Sequence, residues 1–286
     1  MANIKIVTDS SCDLPYAMAI ERGIAVVPLT IRFGDDEFVD MVELSPEKFW
    51  ERCTRSDTLP ETAAPSIGAF DAVFQSAAAA GHDGVVCVTL SSRLSATHQS
   101  ALAAAEQVSS NFEVRVIDSQ LATMGVGLLA LQASDLARNG ASLQSIADHI
   151  LEAREYTHVV GMVDSLDYLR KGGRIGGAQA MLGTMLSMKP IIGIKDGVVE
   201  GRARQRTRSR ALSYLIDLLQ NEKGVTTIAI THAMMDNVEG FVDQLRAIFP
   251  TVPISVGYLG PVIGAHTGPG TLGITYQTPP SPVGSL

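Results

Sequence analysis

The chain has 286 residues, of which 46% are hydrophobic and 18% are charged, and its formal net charge is −8. This length suits one large or two medium globular domains, each able to bury its own core. The acidic balance argues against nucleic acid as the main partner, because binding to phosphates needs a positive field.

Three cysteines, Cys12, Cys53 and Cys87, lie far apart and form no C-x-x-C pair. They predict neither a disulfide framework nor a structural zinc site, and they favour a reducing compartment. The N-terminal residues lack the apolar region of a signal peptide, and no apolar run is long enough to span a bilayer. We therefore expect a cytoplasmic protein that holds no metal and no cofactor.

The first half of the chain alternates short apolar strands with helical segments. We predict strands over 4–8, 25–33, 84–90 and 114–118, with helices between them that begin near Pro15, Ser45, Ser66, 101, 125 and Ser142. In the loop 8–15, Asp13 is expected to cap the first helix and Cys12 to be packed in the core. Short apolar strands separated by helices predict a parallel sheet that is covered on both faces.

The second half is predicted to begin near Thr157 and to mix hairpin and crossover connections. Asp196-Gly197 is a strong hairpin signal between strands over 191–195 and 198–204, and a methionine-rich helix is expected over 178–187. The predicted fold is α/β with two domains: an N-terminal parallel-sheet α/β/α domain over 1–156 and an α+β domain over 157–277. Residues 278–286 read as a disordered tail, and a ligand is expected in the cleft between the domains.

A histidine framed by glycine and proline stands near the C-terminus. The segment 260–270 contains four glycines and two prolines, which we take to exclude a helix and to hold His266 on a stiff loop. A turn with a capping histidine is the alternative.

Two further loops carry small hydroxyl groups. Thr62 lies in the stiff loop 60–66, and the segment 91–100 joins a strand to the N-terminus of a helix. Free backbone N–H groups, the helix dipole and a hydroxyl together suit an anion, so Ser95 and the amide of Ala96 are candidate ligands. Ser95 is alternatively a simple N-cap, or a nucleophile with a histidine as base, although G-x-S-x-G and a paired acid are absent.

Two further patterns each allow both a structural and a functional interpretation. Arginine recurs at every second position from 202 to 210, and Arg170 and Arg174 flank a glycine pair. These cations indicate either a solvated sheet edge or a docking surface for an anionic partner. The methionines at 181, 185 and 188 indicate either core packing or the wall of a tunnel for flexible chains.

Taken together, these motifs resemble the DegV family, bacterial fatty-acid-binding proteins that serve as the acyl-carrying subunit of fatty acid kinase. The segments 8–15, 62–66, 91–101, 169–175 and 260–270 carry the resemblance, which extends to about Tyr276. It implies a fatty acid buried between two α/β domains, with its carboxylate at Thr62, Ser95 and Ala96 and with His266 in the same network. The family commonly has Ser where this chain has Ala63, and Gly where it has Ala96.

The resemblance implies a carrier and not an enzyme. The protein would bind a long-chain fatty acid and present its carboxylate to a separate ATP-dependent kinase, and would take part in phospholipid metabolism. On this interpretation, Met181, Met185 and Met188 line the tunnel, while Arg170, Arg174, Arg202 and Arg206 meet the kinase or, transiently, an anionic membrane. The alternatives are an esterase or acyl transferase that uses Ser95, and a regulatory protein that binds nucleic acid through its arginines.

Overall fold

A computed structural model describes residues 2–56, 58–108, 112–184 and 188–280. The strands are β1 Ile4–Asp9, β2 Ile24–Val27, β3 Thr30–Phe33, β4 Asp36–Val39, β5 Glu61–Ala63, β6 Gly84–Thr89, β7 Glu113–Asp118, β8 Thr157–Met162, β9 Lys189–Lys195, β10 Val198–Gln205, β11 Thr227–His232, β12 Ile254–Tyr258 and β13 Leu272–Gln277. The α-helices are α1 Tyr16–Glu21, α2 Pro46–Arg55, α3 Ile67–Ala79, α4 Thr97–Ala105, α5 Met124–Arg138, α6 Leu143–Ala153, α7 Asp167–Lys171, α8 Arg208–Asn221, α9 Val238–Ile248 and α10 Pro261–Thr267.

The N-terminal half is built on a parallel sheet in the order β2-β1-β6-β7. Every residue of β6 is buried, because α5 and α6 pack on one face of the sheet and α3 and α4 on the other. Ser66 and Ser142 cap α3 and α6 as expected, each accepting a hydrogen bond from a backbone amide three residues on. The predicted α/β/α arrangement of this half is confirmed.

The C-terminal half is built on a mixed six-stranded sheet in the order β10-β9-β8-β13-β11-β12. The expected hairpin joins β9 to β10 around Asp196-Gly197. The last strand, β13, was not predicted, and it lies inside the sheet, antiparallel to both β8 and β11. Helices α8 and α9 cover one face, and α5 of the N-terminal half lies against the other. The mixed character predicted for this half is confirmed.

A small third sheet, β4-β3-β5, corrects the prediction of one strand over 25–33. That segment forms two strands in two different sheets, β2 and β3, with Pro28 and Leu29 between them. Proline has no N–H to donate to a ladder, so the chain leaves the parallel sheet at this point. The small sheet positions Thr62 on β5.

The segment 260–270 contains a helix, so the prediction of a helix-free loop is wrong. Gly260 is the N-cap of α10, Pro261 is its first residue, and Gly268 ends it with a φ of 78°. Glycine and proline are tolerated at these terminal positions, because proline lacks only an amide that would be unpaired anyway. Glycines and prolines argue strongly against a helix only where most of them occupy positions inside it, and here most of them lie at its ends.

The expected helix over 178–187 is a 3-10 helix over Gly176–Thr184, and residues 185–187 lie outside the described residues. 3-10 helices are usually short and often connect other secondary-structure elements. This segment packs on β10.

The one interior glycine of α10, Gly264, lies against an aromatic pair. A Cβ atom at this position would lie 2.7 Å from Trp50 Cζ2 and 2.8 Å from Phe49 Cε1. Both side chains are buried, and Trp50 also donates from its indole N–H to the carbonyl oxygen of Leu259 at 3.0 Å. Gly264 therefore allows α10 to approach α2 closely.

We predict that Gly264→Ala lowers the free energy of unfolding by about 1–2 kcal/mol, because overpacking outweighs the gain in helix propensity. Chemical denaturation measures the change. Gly257→Ala is the matched control, since a Cβ at Gly257 meets no atom within 4 Å. Equal stability of the two variants would contradict the close approach.

Candidate ligand-binding site

A cavity lies between the two halves and has about 850 Å³ of empty space, including its opening to solvent. Its wall is mostly apolar and comes from both halves: Leu29, Leu90, Leu94 and Ala122 from the N-terminal half, and Val159, Val160, Val163, Leu169, Ile192, Ile194, Val199, Leu259, Val262 and Ile263 from the C-terminal half. Ligand cavities commonly combine such a wall with a few placed polar groups. The cleft expected from the sequence is present.

Thr62 and His266 meet in this wall, although 204 positions separate them in the chain. The Thr62 hydroxyl oxygen lies 2.8 Å from His266 Nε2. Thr62 is on β5 of the small sheet, and His266 is in the last turn of α10. The hydrogen bond therefore joins the two halves of the protein at the cavity.

His266 is a neutral imidazole at physiological pH. Burial, together with the nearby positive charge of Arg174, lowers the pKa of His266 to about 4. Nδ1 is buried and has no hydrogen-bond partner among the described residues. It points at Gly172, where a Cβ atom would clash with the ring. Gly172 thus leaves room for the imidazole.

Ser95 lines the same cavity, at the entry to α4. Its hydroxyl oxygen lies 2.9 Å from the Thr97 hydroxyl and accepts a bond from the Thr97 amide at 3.3 Å. Among the described residues no histidine bonds to Ser95, since His98 bonds to Thr89. Ser95 thus has neither the base nor the orienting acid of a hydrolase triad in this structure.

Ala96, Met181 and Met188 lie outside the cavity lining. Ala96 is the exposed N-cap of α4. Met181 is buried beside Gly201, in a cluster with Ile192 and Val199. Met188 lines a separate surface depression, and Met185 lies outside the described residues. The tunnel wall is supplied by β-branched residues and leucines instead, so Met181 and Met188 do not serve as tunnel lining here.

Arg174 lines the cavity, whereas the sequence placed it with the docking cations. Its Nε donates to the Leu94 carbonyl at 3.0 Å, and its Nη1 donates to the Gly172 carbonyl at 2.6 Å. These acceptors turn the guanidinium inward. The polar end of the cavity therefore combines one cation with the hydroxyl groups of Thr62 and Ser95 and the imidazole of His266.

The other candidate arginines are exposed. Arg170 pairs with Asp167 at 3.3 Å, while Arg202 and Arg206 form no ion pair within the described part of the chain. Arg202 lies on β10, the edge strand of its sheet, at a bulge between Gly201 and Ala203. The bulge interrupts the alternation of side chains between the two faces of the sheet, which the spacing of the arginines suggested.

Asp13 does not cap α1, and this prediction is wrong. The N-cap position is Pro15, and Asp13 adopts a left-handed φ of 52°. Its carboxylate accepts bonds from the Gly260 amide at 3.0 Å and from the Thr123 hydroxyl at 2.5 Å. Asp13 therefore binds the N-cap of α10, a long-range role with no local sequence signal. The neighbouring Cys12 is buried, which raises the pKa of its thiol and agrees with the predicted packing role.

Burial, together with the nearby carboxyls of Asp40 and Asp9, raises the pKa of Asp13 to about 8. The pKa of Asp13 is higher in the folded chain than in the unfolded chain. Its protonated carboxyl therefore stabilises the fold fully below about pH 4, and this stabilisation is lost as the pH rises towards 8.

We compare the free energy of unfolding of the native chain with that of Asp13→Asn. We predict that the difference between them falls from pH 4 to pH 8, by at most about 1.4 kcal/mol per pH unit. Denaturant titrations at several pH values measure this difference. Asp243→Asn, at an exposed position, is the control and should run parallel to the native chain. A parallel curve for Asp13→Asn would contradict the raised pKa.

The described residues contain no group of three or more His, Cys, Asp or Glu side chains able to hold a metal ion. Within the same ranges, we find no helix that combines the length and apolar character needed to cross a membrane.

Comparison with known proteins gives one consistent family. The DegV family model, described as a family of uncharacterised proteins, matches residues 3–278. A DegV domain-containing protein of Halalkalibacterium halodurans is 34% identical over 280 residues, which make up 96% of this chain and 99% of that protein.

Two solved structures are similar over their whole length. DegV from Bacillus subtilis, described as a fatty acid binding protein, is 33% identical with a TM-score of 0.90, over 97% of this chain and 100% of that one. A stearic-acid-binding protein from Eubacterium ventriosum is 26% identical with a TM-score of 0.88, over 97% and 98% of the two chains. The fold built from the two sheets is therefore shared with these proteins.

Proposed function

The chain belongs to the DegV family, and we propose that it binds a long-chain fatty acid between its two halves and presents the carboxylate to a separate kinase. The observation that carries this proposal is an apolar cavity whose polar groups gather around Thr62, Ser95, His266 and Arg174. The fatty acids bound by its structural relatives support the same ligand class.

The polar groups suit a carboxylate. If neutral His266 donates from Nε2 to the Thr62 oxygen, the hydroxyl hydrogen of Thr62 is left to donate to the ligand. Ser95 supplies a second hydroxyl, and Arg174 supplies the positive charge that strengthens these bonds. The acyl tail then contributes most of the affinity, about 0.8 kcal/mol for each buried methylene group.

The role assigned to the protein is delivery. The partner kinase would transfer the γ-phosphoryl group of ATP to a carboxylate oxygen, giving an acyl phosphate and ADP. Thr62 and Ser95 are half-buried, so the partner need not unfold the carrier to reach a head group bound there. We place this protein in the cytoplasm, where ATP is available, with transient contact to a membrane as the source of fatty acid.

We predict that Thr62→Val and Ser95→Ala each weaken fatty acid binding by about 10- to 100-fold, because a hydrogen bond to a charged group is lost. Native mass spectrometry of the purified protein measures retained lipid, and titration of delipidated protein measures affinity. Thr54→Val is the control, since the Thr54 hydroxyl bonds only to its own helix. Full lipid retention in both variants would overturn the assigned head-group site.

The same Ser95→Ala variant separates this proposal from an esterase or acyl transferase. A carrier releases free fatty acid on organic extraction and does not turn over a chromogenic ester. Ester turnover that is lost in Ser95→Ala would favour the enzyme.

We further propose that Arg170, Arg202 and Arg206 meet the kinase. Arg202 and Arg206 are exposed and without ion pairs in the described part of an otherwise acidic chain, so their charge is available to an acidic partner. Long-range attraction of this kind speeds association more than it strengthens the complex.

We predict that Arg202→Glu combined with Arg206→Glu lowers acyl phosphate formation by the added kinase at least tenfold, while the bound lipid is retained. Kinase assays at low and high salt and mass spectrometry measure the two effects. Arg138→Glu with Arg246→Glu makes the same change of net charge elsewhere on the surface and should leave phosphorylation unchanged. Equal phosphorylation by both double variants would contradict the docking surface.

A further inference from the structure

A second compartment, lined by both apolar and polar residues, lies between the same two layers. It is a groove between helices α1 and α5 on one side and strands β11 and β12 on the other, with about 1340 Å³ of empty space including its opening. Its helix side is formed by Met18, Leu128 and Leu131, and its sheet side by Thr231, Ser255 and Gly257.

Three hydrogen-bonded side chains lie where the lining of the groove meets the lining of the main cavity. Thr123 lines the main cavity, Asp13 lines the groove, and Thr231 lines both. The Thr123 hydroxyl donates to Asp13 Oδ2 at 2.5 Å and lies 3.4 Å from the Thr231 hydroxyl. We call these three side chains the Asp13–Thr123–Thr231 bridge.

A polar wall at the end of an apolar cavity is unfavourable unless its groups pair with one another, as they do here. The backbone of Thr123 is also strained, since a β-branched residue holds φ 51° and ψ −142°. Such strain persists where a function needs a side chain in one exact place. The bridge is therefore a built feature of the interface and not a packing accident.

The bridge is also tied to the head-group end of the site. Asp13 accepts the amide of Gly260, where α10 begins, and His266 lies in the last turn of the same helix. The helical rise separates the two positions by roughly 9 Å. Main cavity, bridge and groove thus follow one another along the interface.

We propose that the Asp13–Thr123–Thr231 bridge is an end wall that limits the length of the acyl chain, and that the groove behind it can hold further methylene groups. This inference rests on the proposed fatty acid binding. Thr123 and Thr231 are then specificity-determining residues for chain length.

The groove suits the tail of a ligand and not its head. Its helix side offers the apolar side chains of Met18, Leu128 and Leu131 beside the polar Arg22, Gln132 and Asp135, and Met18 can adapt its shape to a tail. On the opposite side, Ser255 and Gly257 leave the space unfilled. Arg22, the cation among the described lining residues, is already paired with Asp135. A second carboxylate would therefore find no free cation there.

The test compares the chain-length preference of delipidated variants offered an equal mixture of saturated fatty acids from lauric to behenic acid, read by native mass spectrometry. Thr231→Ala should shift the preference to longer chains, with a gain of roughly fourfold in relative affinity for each methylene group that enters the groove. Thr275→Ala is the matched control, since Thr275 is a buried threonine of the same sheet that lines neither compartment.

A second substitution fills the groove from its exposed side. Ser255→Trp alone should leave the preference of the native chain unchanged, and in the Thr231→Ala background it should restore that preference. If Thr231→Ala fails to fold, Thr123→Ala removes the same contact from the other side and should give the same shift.

Three results would overturn the end wall. The first is an unchanged chain-length preference in a folded Thr231→Ala or Thr123→Ala variant that still binds lipid. The second is a preference for shorter acyl chains in Ser255→Trp alone. The third is the binding of two fatty acids per protein chain without a change in the preferred acyl length. Failure of the native chain to bind any fatty acid would instead contradict the proposed function.

Discussion

The architecture of the site depends on how α10 docks against the N-terminal half. Asp13 binds the amide of its N-cap, Gly264 lets its middle approach α2, and Thr62 bonds to His266 at its end. Three different kinds of contact thus fix α10, a helix of seven residues, at its start, its centre and its end. Because α10 contacts elements of both halves at the cavity, its position contributes to the width of the cavity and to the place of its polar groups.

The electrostatics of the interface follow from the same docking. His266 is neutral because it is buried and because Arg174 is near, so its role is to orient the Thr62 hydroxyl and not to carry charge. Arg174 alone supplies a positive charge among the residues that line the cavity in the described structure. Asp13 lies at the other end of α10, where burial favours its protonated form. The positive charge in the cavity lining therefore lies near His266, at the C-terminal end of α10.

Features with a local cause could be predicted from the sequence. Asp196-Gly197 favours a hairpin wherever it stands, and Ser66 can cap α3 without help from distant residues. The split between β2 and β3 and the central place of β13 depend on which sheets are available, and no local pattern contains that information. Likewise, Asp13 has the spacing of a cap, but its partners are 110 and 247 positions away.

The two arginines Arg174 and Arg202 show why charge patterns alone could not define the site. Both stand beside glycine in basic segments, so the sequence gives them the same interpretation. In the structure, Arg174 donates to two backbone carbonyl oxygens, which hold its guanidinium inward, while Arg202 lies on an edge strand without an acidic partner in the described chain. The nearest acceptors, and not the residue type, thus decide whether an arginine side chain turns towards the cavity or stays on the surface. Acceptors of this kind come from segments distant in sequence, so the distinction appears only once the chain is folded.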